Sequence, residues 1–341
     1  MARTATTGRV SASDIARQVG VSLATVSKVV NGRSDVSDET RKRVEEVIQK
    51  TGYTKRTYAS SSSRIIEVVL PPNQPSGADA LINEAAEQSN EKDLVFSIRQ
   101  IAKTDTSREQ LLKRIAEDNP EGIILILDDT KPNELDSFAS WNIPTVLIDL
   151  PGVVAQSQFS VGVDNWTGGL MAGRYLIEHG HTNIAVIQGR TASMASNARM
   201  SGFISALQEA GLTLRSEYHM VGDFLPASGR ECTLKLLALD QRPSAIFVFN
   251  DLMAMGAYQA ASIMGLRIPE DLSILGFDNV FPSMFLYPGL TTIAQPFAQL
   301  MREAINMIED HHAGRLDEGD HRIVLPARIV ERGSVITLRN S

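Results

Sequence analysis

Cysteine is almost missing from this chain. Its 341 residues include a single one, Cys232, which excludes an intrachain disulfide framework and fits a reducing compartment. Cys232 itself reads as a small buried hydrophobe on a helix. Long apolar runs are missing as well. No stretch reaches the roughly 18 residues a membrane-spanning helix needs, and the N-terminal MARTATTGRV lacks the apolar core of a secretory signal. Enzyme signatures are equally scarce: no G-x-G-x-x-G follows a predicted strand, and there is neither a P-loop nor a G-x-S-x-G. His179-Gly180-His181 and His311-His312 fall at predicted helix ends, where the helix dipole favours histidine, so no metal is expected. These absences point to a cytoplasmic protein with no membrane segment and no cofactor, and not to an enzyme.

What is present is divided unevenly. The formal net charge is −7, yet residues 1–58 hold 11 Lys/Arg against 6 Asp/Glu, a net of +5, leaving 22 against 34, a net of −12. A basic head on an acidic body is expected when one end meets phosphates and the other does not. Hydrophobic content of 43% with 21% charge is that of a globular chain, and the length calls for two or three domains.

The head is organised around DIARQVGVSLATVSKVVNGRSDV. Ser13 is a candidate N-cap for a first helix with Ile15, Ala16 and Val19 on its apolar face. Gly20 supplies the left-handed residue for a sharp stop. Ser22 caps a second helix, Leu23–Val30. Val26, Val29 and Val30 turn inward there, while Leu23, Ala24, Ser27 and Lys28 turn out. Small and polar side chains on that exposed face fit a DNA major groove. Asn31-Gly32 makes a turn, and Ser37 caps a third helix, Asp38–Thr51, with Thr40, Val44, Val47 and Ile48 inward and Lys42, Arg43, Glu45, Glu46 and Lys50 on a solvated face.

The run A-x-x-x-G-V-S-x-x-T-V-S-x-V-V-N-G, from Ala16 to Gly32, resembles the DNA-binding head of the lactose-repressor (LacI/GalR) family of bacterial regulators. The resemblance implies that Leu23 and Ala24 choose operator bases with help from Ser27 and Lys28, and that Ser22, Thr25 and Asn31 contact phosphates. Leu23 and Ala24 cannot hydrogen-bond base edges and would read thymine methyls by fit. The chain departs from the family after Tyr53. The hinge pattern Y-x-P-N-x-x-A-R-x-L is replaced by a shorter segment ending in Ser60–Ser63, which favours a flexible linker over a helix. Kinking of the operator would then fall to Tyr58 or not occur.

From Ile65 onward, apolar strands alternate with amphipathic helices, the signature of parallel α/β sheets. Strands are predicted at Ile65–Leu70, Leu94–Ile98, Gly122–Leu127 and Thr145–Asp149, with helices near 78–91, 107–118 and 133–141. A second series begins with Phe159–Asp164. It continues through Ile184–Gly189, Tyr218–Val221, Ala245–Asn250 and Ser273–Asp278, with helices near 166–179, 197–210, 228–239 and 252–264. A helix near 297–312 and strands near 322–325 and 328–331 close the chain. The expected fold is an all-α helix-turn-helix head (1–58), an atypical linker (59–64) and a two-lobed α/β effector domain (65–341) of two doubly wound parallel sheets. Lobe 1 takes about 65–160 plus 293–323, and lobe 2 about 161–292 plus 324–341.

VGVDNWTGGLMAGRYLIEHGHTNIAVIQG, ARMSGFISALQEAGL, AIFVFNDLMAMGAYQAASIMGLRIPEDLSILGFDN and LTTIAQP resemble segments of the same family's effector domain, whose fold is that of periplasmic sugar-binding proteins. Ligands in open α/β sheets sit at strand C-termini, where Asp149, Asp164, Asn250 and Asp278 stand. The resemblance makes Asp278, Asn250 and Arg199 ligand contacts and Phe224 an aromatic platform. Asp278 and Asp164 are also candidates for capping the helices that follow, and Asp251 reads as the N-cap of its helix. Asn73, Gln74 and Asp149 are further candidates in the first lobe, and Gln295, with Phe297, falls near a lobe crossover. The family likeness implies a homodimeric repressor that binds operator DNA and responds to a small molecule. The leading expectation is a sugar that releases it from the operator. The alternative is a planar base acting as corepressor, as in purine-responsive members, with Phe224 stacking it. A more distant alternative is a sugar-acting enzyme on the same fold.

Overall fold

In the computed structural model the described residues are 12–30, 36–51, 64–71, 77–101, 105–126, 143–148, 159–316 and 321–338. The expected helix at 133–141, linker residues 59–63, Tyr58, Asn31, Asn73, Gln74 and Asp149 lie outside them. So do the side chains of Leu23, Ala24 and Ser27. The chain forms two compact units, Met1–Ser63 and Arg64–Ser341.

The first unit holds α1 (Ala12–Val19), α2 (Leu23–Val30) and α3 (Asp38–Thr51). Helix α1 begins at Ala12, so Ser13 lies in its first turn and is not its N-cap; Ala12 is itself a strong helix former. Gly20, at φ 74°, ends α1 in the left-handed region, and the Gly20 and Val21 N–H groups both donate to the Ala16 carbonyl at 3.0 Å. Ile15, Ala16, Val19, Val26, Val29 and Val44 make the buried core. Ser37 Oγ accepts from the Thr40 N–H at 3.4 Å, and Thr40 Oγ1 accepts from Ser37 Oγ at 2.9 Å. Thr40 therefore serves the cap and not the apolar stripe. Arg43, expected on a solvated face, donates to the Val19 carbonyl at 2.6 Å and so caps the end of α1.

The second unit carries two six-stranded sheets. Strands β1 (Arg64–Leu70), β2 (Leu94–Gln100), β3 (Gly122–Ile126), β4 (Thr145–Ile148), β5 (Phe159–Val163) and β11 (His321–Leu325) form the first, in the order β2-β1-β3-β4-β5-β11, all parallel. Strands β6 (Ile184–Gln188), β7 (His219–Val221), β8 (Ala245–Val248), β9 (Ser273–Asp278), β10 (Thr291–Ala294) and β12 (Arg328–Val330) form the second, in the order β7-β6-β8-β9-β10-β12. Only β12 runs antiparallel. Near-continuous burial of strands such as β3 and β6 is what sheets covered on both faces require.

Three details differ from the sequence reading. Strand β5, expected to open the second lobe, pairs with β4 and β11 and belongs to the first. Alternation of strand and helix cannot tell which sheet a strand joins when the chain crosses directly after it. Thr291–Ala294, not foreseen as a strand, pairs with β9 and completes the second sheet. Arg64, assigned to the linker, opens β1. The chain passes between lobes after Val163, after Ala294 and after Leu325.

The covering helices are α4 (Ala78–Lys92) and α5 (Asp105–Glu117) on the first lobe. On the second lie α6 (Asn165–Glu178), α7 (Met194–Glu209), α8 (Pro226–Leu237) and α9 (Asp251–Ile263). Helix α10 (Phe297–His312) returns to pack on α4, β4 and β5. His181, fully buried, bridges Ser244 Oγ at 2.9 Å and the Ile336 carbonyl at 3.0 Å, tying the C-terminal segment to the second lobe. Among the described residues no helix is long and apolar enough to cross a membrane.

Candidate functional site

In the head, Ser22 holds the start of α2. Its Oγ accepts from the Thr25 N–H at 3.1 Å and lies 2.8 Å from Thr25 Oγ1. Both hydroxyls thus organise the N-terminus of α2. Lys28 is half-buried on the same helix.

In the second unit, the sequence-predicted residues Phe224, Asn250, Asp278 and Gln295 fall at or just past strand C-termini of the second lobe, and Arg199 reaches them from within α7. Asp278 ends β9 with φ 113° and is 2% exposed, and Asn279 follows at φ 60°. Two consecutive non-glycine residues in this region are strained and must be held by their surroundings. Gln295, just past β10, supplies part of that hold. Its Nε2 donates to Asp278 Oδ1 at 2.6 Å and its N–H donates to the Asp278 carbonyl at 3.2 Å. The buried Oε1 of Gln295 has no hydrogen-bond partner among the described residues.

Arg199, 4% exposed on α7, is fixed from several directions. Its Nε donates to Asn165 Oδ1 at 2.8 Å and its Nη1 to the Phe249 carbonyl. Its guanidinium carbon stands 3.7 Å from the centre of the Phe277 ring, and Nη1 is 3.8 Å from Asp278 Oδ1. A cation held by two acceptors, a ring face and a carboxylate is preorganised, not mobile.

Asn250 Oδ1 accepts from the Met253 N–H at 3.0 Å and caps α9, while its Nδ2 donates to the Phe224 carbonyl at 3.0 Å. Asn250, and not Asp251, is therefore the N-cap of α9. Phe224 has φ 72°, again left-handed. Its ring lies against Gly189, where any side chain would overlap it, and the Arg190 guanidinium stands over its face at 5.7 Å. Asp164 accepts from the Thr167 N–H at 2.9 Å and from Thr167 Oγ1 at 2.6 Å, so it caps α6.

The support beneath Asp278 has no signal in the sequence. Asp251 is fully buried; its Oδ1 accepts from Thr292 Oγ1 at 2.6 Å and its Oδ2 from the Val280 N–H at 3.0 Å. Burial first, and the nearby Asp278 carboxylate second, push its carboxyl up to about 7. Asn165, Phe277 and Arg190 were missed as well. Only Asn165 carried a signal, as a polar residue just past a strand end.

Comparison with known proteins meets this geometry. Residues 11–55 match the profile of bacterial regulatory proteins of the lacI family, and residues 174–335 match a periplasmic binding protein-like domain. The HTH-type transcriptional repressor PurR of Erwinia tasmaniensis is 34% identical over 328 residues, covering 94% of this chain and 96% of that protein. PurR of Pectobacterium atrosepticum is 34% identical over 332 residues, with the same two coverages. Among solved structures, a transcriptional regulator CelR–cellobiose complex superposes with a TM-score of 0.73 at 27% identity, over 96% of this chain and 100% of that one. The lac repressor dimer bound to operator and an anti-inducer gives the same TM-score and coverage at 24% identity, a likeness of fold. The chain belongs to the lacI family of bacterial regulatory proteins and is a ligand-responsive, DNA-binding, non-enzymatic transcriptional repressor.

Proposed function

We propose that the effector is a planar nitrogen heterocycle of the nucleobase type, and that it acts as a corepressor which tightens operator binding. The observation that carries this reading is the platform at Phe224. Its backbone carbonyl is held by Asn250 Nδ2, and a flat cation, the Arg190 guanidinium, already stands over its ring face. A heterocycle would take that position by stacking. Its polar edge would meet the Asp278 carboxylate and the Gln295 carbonyl oxygen, which accept from ring N–H groups. The PurR relatives, matched along almost the whole chain, support the same reading over the sugar-release expectation. Asn73, Gln74 and Asp149 would complete the site from the first lobe.

In the head, Leu23, Ala24, Ser27 and Lys28 read operator bases, and Ser22, Thr25 and Asn31 hold phosphates. The protein acts in the cytoplasm as a homodimer, because one head covers a half-site and specific binding needs two. The exposed apolar surface of Phe281, Phe285 and Tyr287, respectively 63%, 68% and 98% accessible, is the face a second copy would cover. A ligand that binds one lobe arrangement better shifts the operator equilibrium by that difference, about 1.4 kcal/mol per tenfold change.

Calorimetric titration of the full chain with hypoxanthine, guanine, cellobiose and ribose tests the effector class. A base should bind at least tenfold more tightly than either sugar, and Phe224→Ala should remove most of that affinity. Tight binding of a sugar with no binding of a base would reverse the assignment. Ser27→Ala with Lys28→Ala should lower operator affinity about 100-fold or more while leaving base binding intact. An unchanged operator affinity would reject α2 as the reading helix.

A further inference from the structure

In the first lobe, side chains join two helices along their whole length. Helices α4 and α10 run side by side in the same direction, joined at three levels. At their N-terminal ends, the Phe297 ring packs where Gly77, the N-cap of α4, has no side chain. In the middle, Arg302 donates from Nε and Nη2 to the two oxygens of buried Glu84 at 2.8 and 2.9 Å. At their C-terminal ends, Lys92 Nζ donates to Glu309 Oε2 at 2.6 Å and to Asn306 Oδ1 at 2.9 Å.

The two ends of this pair touch two different functions. Phe297 stands two residues beyond Gln295, which holds Asp278. At the far end, Glu309 Oε1 lies 3.6 Å from Arg64 Nη1, and Arg64 Nε is bonded to both Glu121 oxygens at 2.8 and 2.7 Å. The Glu121 N–H donates to the Ile65 carbonyl at 2.8 Å, and its own carbonyl lies 2.6 Å from His312 Nε2 at the end of α10. Arg64 is the residue at which the second unit begins, directly after the linker from the head. The 16 residues of α10 span roughly 24 Å.

The geometry points to Arg64 as a positioning residue for the DNA response: α10, zipped to α4, carries the state of the effector site to the linker root, and the Arg64–Glu121–Glu309 cluster is its terminal clamp. This rests on the effector site assigned above for its ligand arm only. Among the described contacts of Arg64 none is to a residue of that site, so losing it should separate ligand affinity from ligand response. The charges are partly exposed, with side chains 36% accessible for Arg64, 21% for Glu121 and 23% for Glu309. The contact is thus firm enough to transmit and close enough to solvent to be remade.

The test is a double-mutant cycle in the ligand-free full chain, read by fluorescence anisotropy on the DNA upstream of its own gene. Phe297→Leu perturbs the effector end and Arg64→Gln the linker end. Changes this far apart ordinarily multiply. We expect Phe297→Leu to alter the operator Kd at least threefold when Arg64 is present, and less than 1.5-fold in the R64Q background. Equal factors in both backgrounds, or no effect of Phe297→Leu in either, would overturn the proposal. Should R64Q not fold, Lys92→Gln at the same end carries the cycle with the same expectation. In a second arm with saturating hypoxanthine, R64Q should keep its hypoxanthine Kd within twofold of the parent and lose at least three quarters of the logarithmic change in operator Kd. Hypoxanthine failing to bind the parent protein would count against the nucleobase reading alone, since the first arm contains no ligand.

Discussion

The two lobes share a strand order but hold their helices in different ways. In the second lobe, α6 packs on α7 and α8 on α9 backbone to backbone. A methyl group at Gly169 would overlap the Arg199 carbonyl, and one at Gly202 the Trp166 carbonyl. Gly229 and Gly256 stand in the same relation to Met253 and Pro226. In the first lobe, α4 and α10 are joined by side chains: Phe297 against Gly77, Arg302 with Glu84, and Lys92 with Glu309. Backbone contact admits no rearrangement, whereas ion pairs can be remade at small cost. The lobe carrying Phe224, Asn250 and Asp278 is therefore a fixed platform, and the lobe that begins at the linker is the one suited to respond.

The largest effect should come from breaking the fixed platform. Gly202→Val places side-chain atoms in the Trp166 carbonyl and separates α6 from α7; a loss of about 3 kcal/mol is expected. Differential scanning calorimetry should register this as a fall in Tm of roughly 6–12 °C. A Tm within a degree of the parent would mean the two helices are not locked as described.

A second effect of the platform is pH-dependent. The Asp251 carboxyl, held up to about 7 by burial and by Asp278 and near 3.8 when unfolded, binds its proton more tightly in the native state. Its contribution is fully present below pH 3.8 and is lost as pH rises through about 7, at a slope of up to about 1.4 kcal/mol per pH unit. Urea midpoints measured across that window should fall less steeply in Asp251→Asn than in the parent. Parallel profiles would show that Asp251 does not titrate there.

In the responsive lobe, Arg302→Ala leaves the Glu84 carboxylate, 3% exposed, with Gln88 as its remaining partner. The arginine is half exposed, so the expected loss is about 1–2 kcal/mol in urea unfolding. The smallest effect returns to the second lobe. Arg174 and Glu209 join α6 to α7 across the surface, both about half exposed, and Arg174→Ala should leave the Tm unchanged. A larger drop for Arg174→Ala than for Arg302→Ala would invert the contrast between the lobes.

Much of this was legible in the sequence where a local rule decides the outcome. Gly20 and Ser22 fix the turn of the head because a left-handed stop and a hydroxyl cap are short-range requirements. Strand and helix periods likewise marked the α/β body. What escaped was set by partners distant in the chain. Strand β5 joins the first sheet through β4 and β11, and Thr291–Ala294 becomes a strand only beside β9. Asp251 and Asn250 look alike as cap residues. The pairing of Asp251 with Thr292, 41 residues away, decides which of them caps the helix and which supports Asp278. Arg43 reads as a solvated helix residue until the Val19 carbonyl is brought beside it.

The most direct test of the account is the operator affinity of the full chain with and without hypoxanthine, measured by anisotropy on the DNA upstream of its own gene. A corepressor bound on the Phe224 platform predicts that hypoxanthine tightens binding at least tenfold and that cellobiose and ribose leave it unchanged. Release by a sugar, with no response to the base, would contradict it.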